Sequence, residues 1–512
     1  MLYSLLLVFL LPIFSVPFVY LAGKKSSKAA AMIVALTALV NIGLILTNVP
    51  TIMSESISKE SYAWIPVLNS HFSLFVDGIS ASIAIIALVL IIAAALFSIN
   101  YMEGKKNLPV YYSLLSLLSV GLVGVFITSN FLLFYFCWEL MLVPAYFIIG
   151  GWGYRDSYKA AFKLFIFTHA GAVFVLLGIG AIYITTGQSD MFLAQTAFLN
   201  NPAFADAAKW ILLALTAGFA VKMAIVPVHM WLPDAHSEAP ATMSALLSGV
   251  IISAGAYAIL RLSLATILPS VALNAPGFAS AFLHGLTVFG VISAFFGAFI
   301  ALVETDIKRI IAYSSIAHMG YVLFGLSLFP ANPAVGGTLV LTSAMTGTVL
   351  HIINHAVSKG LFFLSAGSIM HQTGERDIRK MGRLAGKMPI TALTSIISTL
   401  SIAGSPPFAC FISEFLIFVG AFEIIKNDAF YTVPTVLMLI ATVLSLAYSL
   451  RFINKVFLGQ PKTENGEATT EKKILEVPNS MKLAMLVLAV FVVILGVYPT
   501  WFINLINTVR FI

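Results

Sequence analysis

Charge and cysteine are both scarce in this sequence, and each scarcity removes a class of protein. Only 10% of the 512 residues are charged and 60% are hydrophobic, and a mean hydropathy of +1.00 excludes a water-soluble globule. The chain reads as an all-α polytopic membrane protein. The two cysteines, Cys137 and Cys410, lie inside apolar segments with no C-x-x-C and no zinc-type spacing. Disulfides, iron–sulfur clusters and structural zinc are therefore not expected, and no cofactor or metal is expected on this chain. Electron transfer does not run through it unaided. The net charge of +7 does not mark a nucleic-acid binder, because the basic residues fall in short loops rather than on one amphipathic face. No stretch suits a soluble domain, and the charged segment Gly459 to Asn479 is assigned no function.

What the sequence has in abundance is apolar runs of about 20 residues, the length that spans a bilayer. They fall near 2–22, 29–48, 79–101, 111–128, 130–150, 159–183, 208–230, 241–267, 279–303, 309–328, 336–370, 389–424, 432–457 and 481–506, about fourteen in all. The first lacks a basic leader and a small-residue cleavage site and runs into Gly23-Lys24-Lys25, so a retained membrane helix is expected there. Basic clusters follow odd-numbered spans, at Lys24 to Lys28, Lys105-Lys106, Arg155 and Lys159, Lys308-Arg309, Arg376 to Lys387, and Arg451 to Lys462. The opposite loops, 49–78, 184–207 and 425–431, hold few. The positive-inside rule then places both termini outside the cell membrane. The long runs 336–370 and 389–424 are expected to be interrupted helices, one starting at Gly336-Gly337 with polar residues mid-run, the other holding Gly404-Ser405-Pro406-Pro407.

One stretch organises the rest. From Ala220 to His236 an apolar helix carries Lys222, meets Pro227, and leaves the bilayer through His229, Asp234 and His236. A lysine at that depth costs about 2.5 to 3.5 kcal/mol, so it should face protein or water. Proline lacks the backbone donor, so the helix should break beside the lysine and free carbonyls there.

An internal echo suggests duplication. K-L-F-I-F-T-H-A-G-A from Lys163 and K-G-L-F-F-L-S-A-G-S from Lys359 repeat lysine, aromatics and Ala-Gly in register. The Lys222–Pro227 span and the Pro406–Glu414 span would then be partners, and their odd offset requires inverted repeats, each with one discontinuous helix. The expected organisation is 1–110 for three N-terminal helices, 111–267 and 279–457 for two five-helix repeats, and 458–512 for a polar loop and last helix.

Few ionisable residues lie within the spans. Glu139 and Lys222 together in low dielectric are poised to exchange a proton; the structural alternative for Glu139 is a static counter-ion to a neighbouring lysine. His351, His355 and Lys359 follow one another at four-residue intervals and share a helical face. Such a histidine pair also suits zinc, but no carboxylate or cysteine completes a site, so a proton relay is the preferred reading. His318 joins it, with a hydrogen-bonded core imidazole as the alternative, and Glu414 is the terminal carboxylate of the second half. Lys163 and His169 are secondary candidates, Lys163 being close enough to the basic side to snorkel. Arg261 and His284 are read as structural.

Several long motifs resemble one family: Phe136 to Pro144 (FCWELMLVP), Lys222 to Ala239 with HMWLPDAHSEAP, YSSIAHMG from Tyr313, and His355 to Gly382. They are similar to the antiporter-like subunits of respiratory complex I and of Mrp-type cation/proton antiporters. The resemblance implies fourteen helices, inverted repeats, and a midplane chain of charge, here Glu139, Lys222, His318, the His355/Lys359 helix and Glu414. It also implies partners: further antiporter-like subunits alongside, and cluster-bearing peripheral subunits. Relatives place a lysine where this chain has Ser253, which puts the link between the half-channels in doubt. Glu414 and the HQTGERD loop resemble the complex I type and ferredoxin-linked membrane hydrogenases. The expected function is proton (or sodium) translocation within a redox-driven complex; the alternatives are a Mrp-type antiporter without redox chemistry and a scaffold with a vestigial channel.

Overall fold

The computed structural model describes residues 3–330, 339–340, 342–460 and 474–511. Among them, 13 helical runs are long and apolar enough to cross a membrane. The remaining expected span, 389–424, is split into Pro389–Ile402 and Ala409–Ile425, each too short to cross alone. The protein is a multi-pass, all-α membrane protein.

Both proline-marked breaks form. The Ala205–Met223 helix stops one residue after Lys222; Ala224 turns left-handed at φ 58°, and the chain re-enters helix at Leu232–Glu238. Pro389–Ile402 stops before Gly404, which has φ 64°, and helix resumes at Ala409. A residue without a Cβ takes that conformation at no steric cost. The freed Val221 carbonyl accepts a hydrogen bond from Trp231 Nε1 at 2.9 Å.

The other expected interruption does not form. Ser343–Thr373 is one unbroken 31-residue α-helix; Gly336 and Gly337 lie outside the described residues, as does most of the Gly459 to Asn479 segment. Polar side chains do not break a helix when other helices bury them, and this run holds no proline. Two features have no counterpart in the sequence reading. The span Ala241–Asn274 contains π-helical turns at Leu247–Ile251 and Ile259–Ala265. The loop 49–78 holds an antiparallel hairpin, Ile57–Ile65 with Ser70–Asp77.

Burial grades from rim to centre. The most apolar windows of Ala241–Asn274 and Ser343–Thr373 are wholly buried, and Ile307–Ser327 nearly so, whereas only 33% of that of Ser4–Lys25 is. Ser343–Thr373 and Ile307–Ser327, the two least apolar of the 13, sit inside, where protein rather than lipid faces their polar groups.

Candidate functional site

In the first half of the chain the site is assembled from three helices. Lys222 is 2% exposed. Its Nζ donates to the Trp138 carbonyl at 2.8 Å and lies 3.8 Å from the centre of the Trp138 indole ring. The carbonyl is available because Phe131–Leu140 ends just beyond it, in its last turn. Glu139, the next residue, turns instead to His169, with 3.2 Å between Oε2 and Nδ1. Its Oε1 is buried without a hydrogen-bond partner. The expected Glu139–Lys222 proximity is thus through Trp138 and not a direct ion pair. His169 is about half exposed on the protein's outer face. Lys163 is partly exposed; its Nζ holds Asp234 at 2.6 Å, and Asp234 also receives Arg309 at 3.1 Å.

The second half is denser. Lys359, fully buried, donates to the Ser314 hydroxyl and to the Ile311 carbonyl at 3.3 Å. His318 Nδ1 and His351 Nε2 are 3.1 Å apart, and one of the two carries the proton. His351 Nδ1 faces Ser413 Oγ at 3.0 Å, and the Tyr448 hydroxyl stands 3.4 Å from His318 Nε2. Glu414 follows Ser413 on the resumed helix, and its carboxylate packs against Gly404, where a Cβ would meet Oε2 at 2.4 Å. His355 lies 5.7 Å from His318 between ring centroids, and both its ring nitrogens are buried without partners. His351, His355 and Lys359 do share one face, and it is turned toward Ile307–Ser327.

Between the halves, His236 is fully buried, stacks on Phe363 at 4.6 Å, and leaves both ring nitrogens without partners. Ser253 Oγ donates to Gly249 of its own helix at 2.9 Å, so its hydroxyl is engaged locally. A hydroxyl pair that does cross is Ser248 with Ser315 at 2.8 Å; Ser315 donates to the Ile311 carbonyl at 2.9 Å, the one Lys359 also uses. Arg261 is bound to buried Asp77, and His284 to Asp428 at 2.7 Å, in keeping with structural roles.

Sequence reasoning expected His318 to work through the serine hydroxyls of Ser314 and Ser315 and quoted Trp138 within a motif without a role; it missed Ser248, Ser413 and Tyr448, which carry no sequence signal beyond being polar or aromatic in a span. It also missed Lys308. Beside Arg309 it reads as a loop marker, yet it is fully buried and donates to the carbonyls of Ala239 and Ser237.

Residues 128–445 match the family described as NADH:quinone oxidoreductase/Mrp antiporter, transmembrane. The NADH-quinone oxidoreductase subunit M of Pseudomonas aeruginosa is 32% identical over 447 residues, 85% of this chain and 81% of that protein. The F(420)H(2) dehydrogenase subunit M of Methanosarcina mazei is 30% identical over 487 residues, covering 93% and 91%. Among solved structures, a chain of the membrane-bound sulfane sulfur reductase, an archaeal respiratory membrane complex, superimposes with a TM-score of 0.80 at 26% identity over 97% of this chain and 76% of that one. The motifs, the paired broken helices and these similarities agree: the chain belongs to the NADH:quinone oxidoreductase/Mrp antiporter transmembrane family, whose members are antiporter-like subunits of membrane complexes.

Proposed function

We propose that this chain translocates protons as one subunit of a redox-driven membrane complex, along Glu139, Lys222, the His318/His351/His355/Lys359 cluster and Glu414. The observation that carries this reading is the state of the two buried lysines. Neither Lys222 nor Lys359 has a carboxylate at ion-pair distance among the described residues; each is held by a carbonyl or a hydroxyl. A lysine kept for structure at this depth would be paired, because burying an ammonium without a counter-charge is costly. One that is not paired can give up its proton. Nitrogen donors line the second-half site, which favours protons over sodium, an ion that seeks oxygen ligands.

The halves correspond to repeats 111–267 and 279–457, joined through Ser248 and Ser315. Lys308, held by the carbonyls of Ser237 and Ala239 and lying over the Tyr154 ring, is added as a relay group near the basic side. The redox setting rests on the relatives, whose names are those of oxidoreductase and dehydrogenase subunits; further antiporter-like subunits and cluster-bearing peripheral subunits are the partners. The plasma membrane with both termini outside follows from the basic loops. Replacing Lys222 or Lys359 by Met in the assembled complex and following proton uptake into vesicles tests the reading. Uptake should fall while electron transfer assembly stays intact; unchanged uptake in both would leave a scaffold.

A further inference from the structure

The second-half cluster has a geometry that proton relay does not require. His318, His351 and Glu414, from three different helices, present ligand atoms that all lie within 4.8 Å of one another. The facing nitrogens of the two histidines are 3.1 Å apart, close to the edge of about 3.3 Å of a tetrahedron whose centre lies about 2.0 Å from each nitrogen. The far nitrogens are held as well, by Ser413 at 3.0 Å and Tyr448 at 3.4 Å. Asn354 fixes Ser413 in turn with a 3.2 Å hydrogen bond. Metal-binding histidines are oriented in this way, with the second ring nitrogen pinned by an outer group. The adjoining His355 is fully buried with both ring nitrogens free of hydrogen-bond partners, but its ring centre lies 5.7 Å from that of His318 and 6.5 Å from that of His351, outside the three-ligand set.

We propose that His318, His351 and Glu414 form a site for a zinc-class divalent ion, and that an ion bound there arrests conduction through this half. Two imidazoles and a carboxylate suit zinc, while sodium, magnesium and calcium require oxygen. On binding, the hydrogen bond between the rings is replaced by two metal–nitrogen bonds, and the proton it held passes to the far nitrogen of the same ring, where an outer oxygen accepts it, so both imidazoles stay neutral. The spacing of His351 and His355 offers no carboxylate; Glu414 enters only through the break at Pro406-Pro407. The arrest, though not the binding, rests on the function proposed above.

The test uses the purified complex containing this chain, stripped with a chelator and titrated with zinc by equilibrium dialysis, with X-ray absorption at the zinc edge. Expected are one zinc per copy with imidazole scattering, its loss in His351→Gln, and affinity weakened by about tenfold or more in Glu414→Gln. His71→Gln, in the exposed hairpin strand, should retain it. His318→Gln serves as a second deletion should His351→Gln fail to assemble. Wild-type zinc content in the deletion variants, or an all-oxygen spectrum, would overturn the site. Zinc bound with these ligands and proton uptake undiminished would overturn the arrest and, with it, the relay through these histidines.

Discussion

Replacing Lys222 by Arg separates a proton carrier from a fixed charge. Arginine keeps the positive charge, can donate to the Trp138 carbonyl and stacks on its indole, so the contacts that hold Lys222 at 2.8 Å and 3.8 Å are largely retained. What it loses is the ability to deprotonate. A guanidinium ordinarily holds its proton more tightly than an ammonium by about 2 to 3 pH units, or roughly 3 to 5 kcal/mol. If proton release from this position lies on the pathway, that gap slows translocation by about 100-fold or more. The assay is the complex reconstituted in vesicles, with internal pH followed by a dye and electron flux measured in parallel. Lys222→Ala is run beside it. A relay predicts that both variants fail, a static charge predicts that Arg works and Ala fails, and a scaffold predicts that both work. Proton uptake per electron equal to wild type in Lys222→Arg would refute the relay through this residue.

Four further outcomes are expected. Ser248→Ala should slow proton uptake and Ser253→Ala should not, because Ser248 reaches Ser315 across the helix boundary whereas Ser253 donates to its own helix; the same vesicle assay decides it. Asp77→Ala removes both the carboxylate facing buried Arg261 and the N-cap of the Gly78–Tyr101 helix and should destabilise the protein by about 3 to 5 kcal/mol, read as reduced thermal stability in detergent, with Asp77→Asn/Arg261→Leu, which keeps the cap acceptor, recovering part of it. Gly404→Ala should displace Glu414, since its Cβ would sit 2.4 Å from Oε2 at a φ of 64°; lowered uptake with normal assembly would show it. Lys308→Met should reduce uptake without loss of the complex, and wild-type uptake would return Lys308 to a structural role.

Much of the fold was legible because lipid imposes a simple rule on sequence. A helix in hydrocarbon must satisfy its own backbone, so about twenty apolar residues suffice to mark it, and 13 of the spans found in the sequence reappear as helices, several with ends displaced by two turns. The two breaks were equally legible: proline removes a donor whatever surrounds it, and the helices end where Pro227 and Pro406-Pro407 require. The interruption expected in 336–370 failed for the converse reason. His351, Asn354, Ser358 and Lys359 looked like a defect, but neighbouring helices bury and bond them, and the helix runs on through Ser343–Thr373.

The sequence by itself determined that the chain spans a membrane and where its helices snap, because composition and proline act locally. Only the tertiary structure decided what each charge faces. Lys222 faces a carbonyl while Glu139 turns to His169; Ser248 rather than Ser253 reaches across; and Glu414 comes level with His318 and His351. Those pairings join residues tens to hundreds of positions apart, and they depend on how helices rotate and pack against one another, which no local spacing records.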